Sequence, residues 1–452
     1  MKTKNILIIS HGEIGTQMAG TGIRYHYMAE TLQAAGFDVT VGFFSPEYMP
    51  DKKFHRTYNV ESVNIHDFQE SLHWADVVIA LWVSEAILDF CNTYKKLLII
   101  DMYAPVPVEN LALKIFSSKP TTEADEFAYT SSLKDYRKFL ENADAFLCSN
   151  ERQIDFWLGY TFGANQVSPK TYAKRDVFKQ FLLAPMGIDS KQKLVRAKPL
   201  YKGVLPGVGE DDIVMIWNGG IYDWYDGTTL IEAMELVYAA NPKIKLIFPG
   251  TEHPNKSLPK WQETIDTQER ARELGIENKN VFFFKKWIDY HDRVGFLLEA
   301  DIAIYTHKPS IESEFSHRTR VLDHMLASLP TIATAGDYFA SFVRQHDLGR
   351  VVPAYDKVAL ANAIVDLAKR ENLEITKHNI QKVRAEFDWT HTLTPLVDFL
   401  RTNPEKVCQV ATFRPTPLQN RRLRHIKRYT PVAAKKAIAR ATPRRIRRKL
   451  LG

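Results

Sequence analysis

Cysteine is scarce in this chain. Cys91, Cys148 and Cys408 are the only three in 452 residues, and they stand far apart. That excludes an even-numbered disulfide framework and a cysteine metal site, and it points to a reducing compartment, the cytoplasm. Long apolar runs are missing too. The most apolar stretch, 74–90, is interrupted by Asp76, Glu85 and Asp89. A spanning helix needs about 20 apolar residues, so none is expected. The opening run "ILIIS" meets His11 and Glu13; it is too short for a signal peptide and reads as a first strand. There is no G-x-G-x-x-G and no Walker lysine, so NAD and ATP sites lack support. His11, His26, His253 and His307 have no metal-ligand spacing, and no bound metal or other cofactor is expected. Acid is absent from the end of the chain. Of the 60 Lys and Arg, 14 lie between Arg414 and Gly452, which hold no Asp or Glu; the remaining 46 are outnumbered by 53 carboxylates. An acidic body thus carries a basic tail, and any nucleic-acid or membrane reading belongs to that tail.

What is present is a soluble globular composition, 45% hydrophobic and 25% charged, at a length that suits two domains. Two halves repeat one logic. "NILIIS", a glycine-bearing loop and the helical "GIRYHYMAETLQAAG" open the first. The buried-strand runs "FDVTVGFF", "ADVVIALW", "KLLIIDMY" and "ADAFLCS" follow. "IVMIW", the loop "NGGIYDWYDG" and the helical "TTLIEAMELVYAA" open the second, before "KIKLIF", "NVFFF", "DIAIY" and "TIAT". Continuous apolar strands alternating with helices predict α/β architecture: two doubly wound parallel-sheet domains facing a cleft. The expected boundaries are 1–190 for a first Rossmann-like domain, 191–212 for a linker, 213–388 for a second, 389–405 for a closing helix and 406–452 for the tail.

Candidate chemistry clusters at the strand ends. Ser316 is expected to cap a helix starting at His317, with Arg318 and Arg320 in its first turn. Such a helix end attracts an anion. Glu314 precedes the cap and Asp323 lies further along the same helix; a capped surface helix with solvated charges fits the same pattern. Gly219 and Gly220 allow close approach of a ligand, as they would in an ordinary strand-to-helix turn. Gly20, Thr21 and Gly22 can meet a diphosphate from the other side of the cleft. Lys285, with Lys286, can meet phosphate, and Trp287 a base, or all three can be an exposed strand end. Asp101, with Glu109 beyond it, can hold an acceptor hydroxyl or cap a helix.

Taken together, in order over about residues 4–403, these pieces resemble the retaining nucleotide-sugar glycosyltransferases of the GT-B fold, the large family 4 group. "DHMLASLP" is similar to that family's run opening with its second Glu, so Asp323 stands where the ribose hydroxyls are held. Glu314 matches the first Glu, which contacts the donor sugar, with eight intervening residues instead of seven. "WNGGIYDWYDG" resembles the glycine loop, with Asp226 where a Lys is usual. Arg318, Arg320 or Lys285 would then meet the diphosphate. The resemblance implies hexosyl transfer from a nucleotide-diphosphate sugar to a glycan or lipid-linked acceptor, with retention, in cell-envelope or exopolysaccharide synthesis. Its catalytic residues would be Glu314 and Asp101. The place would be the cytoplasm, with the tail on the anionic inner face of the membrane. Alternatives are a GT-B epimerase, or a nucleic-acid-binding protein using the tail, although only Tyr429 interleaves its basic residues.

Overall fold

The computed structural model describes residues 3–16, 18–62, 69–117, 119–173, 176–192, 194–195, 199–251, 261–285, 288, 292–402 and 404. The basic tail expected from 406 onward, and Lys286 and Trp287, lie outside the described residues. Met1–Val410 form one compact unit. Within it are two parallel sheets. The first contains β1 (Asn5–Ser10), β2 (Asp38–Phe43), β3 (Asn59–Ser62), β4 (Val77–Ala80), β5 (Leu97–Asp101), β6 (Ala145–Cys148) and β7 (Phe181–Leu183), in the order β3-β2-β1-β4-β5-β6-β7. The second contains β8 (Ile213–Ile216), β9 (Ile244–Phe248), β10 (Val281–Phe283), β11 (Ile302–Tyr305), β12 (Thr331–Thr334) and β13 (Gly349–Val352), ordered β10-β9-β8-β11-β12-β13.

Strand β1 shows why unbroken apolar runs become central strands. Ile6 and Ile8 join the cluster on one face, Leu7 and Ile9 that on the other. With side chains alternating and helices on both faces, no position is left for a polar residue. In each sheet the strand order reverses beside its first strand, β1 or β8. The crevice beyond the carboxyl ends at such a reversal is where ligands bind.

Two chain crossings join the lobes side by side. Ile188 donates its N–H to the Phe387 carbonyl (2.7 Å), and Trp389 donates to the Ile188 carbonyl (3.1 Å). The approach needs Gly187: a Cβ there would lie 2.8 Å from the Phe387 oxygen. Trp389 stacks on Tyr27 of the first lobe, centroids 5.4 Å apart and planes at 10°. The expected closing helix is two, Trp389–Thr392 and Thr394–Arg401, because Pro395 starts a new helix. The second returns to the first lobe, where Lys4 Nζ donates to the Leu400 carbonyl at 2.6 Å. Part of the expected linker is sewn to the second lobe: Tyr201 is fully buried, and Glu299 accepts the N–H groups of Leu200 and Lys202.

Candidate functional site

A cavity of about 300 Å³ lies between the two carboxyl edges. From the first lobe it is lined by Met18, Ala19 and Gly20, where the Gly20–Ala34 helix begins. From the second come Gly219, Gly220, Arg293, Arg320 and Asp323. Phe296, Leu322 and Leu326 make an apolar side. The site therefore brings together four of the expected donor residues (Gly219, Gly220, Arg320 and Asp323) and Gly20 of the opposing loop. Thr21 and Gly22 stand just behind; Thr21 Oγ1 lies 3.1 Å from the Tyr103 hydroxyl.

Arg320 is held in a fixed pose. Its guanidinium carbon lies 4.1 Å from the ring centre of Tyr225 and 5.0 Å from that of Trp217. Nη2 donates to the Gly220 carbonyl at 2.8 Å, while the buried Nη1 has no hydrogen-bond partner among the described residues. A buried donor left unpaired costs about 1–3 kcal/mol, which an anionic ligand would relieve. Gly219 sits at φ +102°, a conformation that favours glycine, and turns its backbone toward this cation. Asp323 is oriented from two sides: Arg293 Nε lies 3.2 Å from Oδ1, and Asn218 Nδ2 donates to Oδ2 at 3.3 Å. Asn218 is itself fixed by His324, 2.6 Å away. Burial, then Arg320, pushes the His324 pKa down to about 3, so its ring is neutral.

Several expectations are corrected. Ser316 does not open a helix; it ends the short Ile311–Phe315 helix, which Ser310 caps by accepting the Ser313 N–H. The next helix is Arg320–Ala327, preceded by Thr319, which offers no side-chain cap. The cause is a buried pair: Arg318 donates to both oxygens of Glu312, at 2.8 and 2.6 Å, drawing the chain inward. Arg318 therefore does not line the cavity. Asp101 does not face an acceptor: it is 0% exposed, and Arg24 holds both its oxygens at 2.6 and 2.8 Å. Glu314 points outward, its side chain 57% exposed, and pairs with Arg152 of the first lobe at 3.0 Å. Lys285 is exposed and absent from the cavity wall. Asp226 caps the Gly227–Ala240 helix by accepting the Thr229 N–H.

Sequence reasoning missed Asn218, Tyr225 and Arg293. Arg293 ends the same run, "KKWIDYHDR", that supplies Lys285 and Lys286. Glu109, on the Val106–Ile115 helix, is a carboxylate outside the cavity lining. It is half-buried, no hydrogen bond engages its carboxylate among the described residues, and it acts electrostatically on cavity-lining Tyr222. Burial, then Glu312, pushes its pKa up to about 7, against the pull of Arg318. His317 is buried, neither ring nitrogen has a hydrogen-bond partner among the described residues, and burial and then Arg24 lower its pKa to about 3.

Residues 212–370 match the family model described as Glycosyl transferases group 1. No curated protein matches the chain. Sucrose-phosphate synthase from Thermosynechococcus elongatus is similar in structure, at TM-score 0.58 and 17% identity, over 88% of this chain and 99% of that one. HepE of Anabaena, in complex with UDP and glucose, is similar at TM-score 0.58 and 13% identity, over 88% of this chain and 100% of that one. WaaG, a glycosyltransferase involved in lipopolysaccharide biosynthesis, gives TM-score 0.55 and 16% identity over 87% and 99%. At these identities the three likenesses show the fold. The fold is that of the GT-B class, two Rossmann-like lobes, and the family match falls on the second of them.

Proposed function

We propose that this enzyme transfers a hexosyl group, with retention, from a nucleotide-diphosphate sugar to a glycan or lipid-linked acceptor. The observation that carries the reading is Arg320: a cation fixed between two aromatic rings, with an unpaired buried Nη1, beside a glycine edge in the interlobe cavity. The diphosphate would lie between Arg320, Arg293 and the opening turn of the Gly20–Ala34 helix, whose dipole favours an anion. Asp323 would hold the ribose hydroxyls, and the apolar side of the cavity the base. The unpartnered ring of His317 would meet a hydroxyl of the sugar. HepE, of the same fold, was crystallised with UDP, which makes a uridine donor the first to try.

In the transfer, the bond from the anomeric carbon to the phosphate oxygen breaks and its electron pair stays on the diphosphate. The acceptor oxygen bonds to that carbon from the same face, and the leaving phosphate oxygen takes its proton. Negative charge grows on the diphosphate, so preorganised donors aimed there supply much of the catalysis. Glu109, in its ionised form, would accept a hydrogen bond from the acceptor hydroxyl and orient it, the part first given to Asp101. Closure of the lobes would exclude water.

The test is a sugar-nucleotide screen read as thermal stabilisation, run on wild type and Arg320→Met. A ligand at 100 times its dissociation constant adds about 2.7 kcal/mol. The expected result is stabilisation by one nucleoside diphosphate and its sugar conjugate, lost in the variant. Stabilisation undiminished in Arg320→Met would overturn this placement. Release of an epimerised nucleotide sugar without acceptor would replace transfer with epimerisation.

A further inference from the structure

A second cavity, of about 630 Å³, opens at the opposite, amino edge of the first sheet. It is bounded by the starts of β1 and β5 and by the end of the Thr394–Arg401 helix, and it belongs to nothing described above. Its charged walls are Lys4, Lys95, Lys96 and Arg401, against the single carboxylate of Asp76. That carboxylate is already engaged, accepting the Asn5 N–H at 3.0 Å. Lys4 spends one proton on the Leu400 carbonyl, and Lys96 two on the His73 and Ala75 carbonyls. Lys95 and Arg401 have no ion pair or side-chain hydrogen bond among the described residues. Lys95 is also held at φ +54°, in the left-handed region, where glycine or asparagine is the ordinary choice. Exposed Tyr94 stands at the rim, 4.7 Å from His73 and 4.4 Å from Phe90, ring centre to ring centre.

We propose that this cavity is a second anion site, taking a ligand with a phosphate or diphosphate group. Cations gathered around one hollow repel one another, and at physiological salt that repulsion reaches about 8 Å. A dianion removes it and uses the remaining lysine protons and the free guanidinium. Arg can grip a phosphate at two points, and Lys supplies compact charge beside it. The volume is that of a small-metabolite pocket, on the order of 300–1,000 Å³. The ligand would also bridge two parts of the molecule. Lys95 belongs to the first lobe, whereas Arg401 ends the helix that returns from the second. Occupancy therefore fastens that returning helix to the first lobe.

Pyrophosphate, titrated calorimetrically into the full-length chain, is the probe. Wild type is expected to show two sites. Lys95→Ala/Arg401→Ala, both exposed positions, should lose one of them and keep its fold. Arg320→Met should weaken the other, so failure of the cleft assignment and failure of this one are read separately. Two unchanged sites in the Lys95→Ala/Arg401→Ala protein, or a single site in wild type that it retains, would overturn the proposal. Phosphatidylglycerol vesicles separate the sources. Weaker sedimentation of the double variant than of wild type assigns a lipid headgroup; equal sedimentation with a lost pyrophosphate site assigns a free phosphorylated ligand.

Discussion

Arg24–Asp101 in the first lobe and Arg293–Asp323 in the second join the same two residue types, and both aspartates were read from the sequence as site residues. Their surroundings separate them. The first pair is fully buried and doubly hydrogen-bonded, with the Arg24 guanidinium also donating to the Ala184 carbonyl at 2.9 Å. The second meets at 3.2 Å, with both side chains partly exposed and lining a cavity. The first pair is out of a ligand's reach, although Arg24 Nη1 has no hydrogen-bond partner among the described residues. The second can be reached from the cavity that it lines. Glu109 is a third case, a half-buried carboxylate with no arginine bound to it among the described residues.

Breaking the sealed pair should have the largest effect. Asp101→Asn leaves a buried guanidinium without its counter-charge, and such losses run to about 3–5 kcal/mol. The urea midpoint should fall accordingly. An unchanged midpoint with lost turnover would return Asp101 to the acceptor.

Glu109→Gln should leave the midpoint near that of wild type and lower turnover by about 10²-fold, the scale of a lost proton-handling or orienting group. The pH profile sharpens the comparison. The folded pKa of about 7 lies above the ordinary 4.5, so ionised Glu109, and activity with it, should rise through pH 7. The Gln variant should lose that rise. The sign for stability is opposite: between the two values the folded state holds more proton than the unfolded one, so this carboxyl's contribution declines as pH rises across that window. A wild-type profile flat through pH 7 would remove Glu109 from the reaction.

The smallest effect is expected at Glu314, whose ion pair with Arg152 is exposed. Glu314→Gln should cost less than about 1 kcal/mol and leave turnover near wild type. A fall of about 10²-fold would instead restore the donor-sugar contact implied by the family resemblance.

The contrast also explains what could be read from the sequence. Central strands such as β5 were legible because burial on both faces leaves a continuous apolar run, "LLII", before the polar strand end. β3 and β13 were not: they are edge strands, and "NVES" and "GRVV" carry polar residues where solvent is near. Gly219, Gly220, Arg320 and Asp323 were legible because strand ends and helix starts place them. Arg24 and Asp101 are 77 residues apart in sequence, and no local spacing announces their pairing. Ser316 misled because Ser before a charged run reads as a cap. The true cap, Ser310, lies one short helix earlier, and a buried Glu312–Arg318 contact set that order.

The paired crossings at 187–190 and 387–389 have a mechanical consequence. A single tether would let the lobes swing, twist and slide. Two strands of chain bonded to each other, with Ser190 also donating to the Asp388 carboxylate, resist twisting and leave rotation about one line. Met186, Gly187, Ile188 and Trp389 on that line also form one wall of the interlobe cavity. A rotation there changes the gap between Gly20 and Arg320 without disturbing the wall itself. The two lobes thus share one hinge line, and a ligand touching both would fix the angle about it.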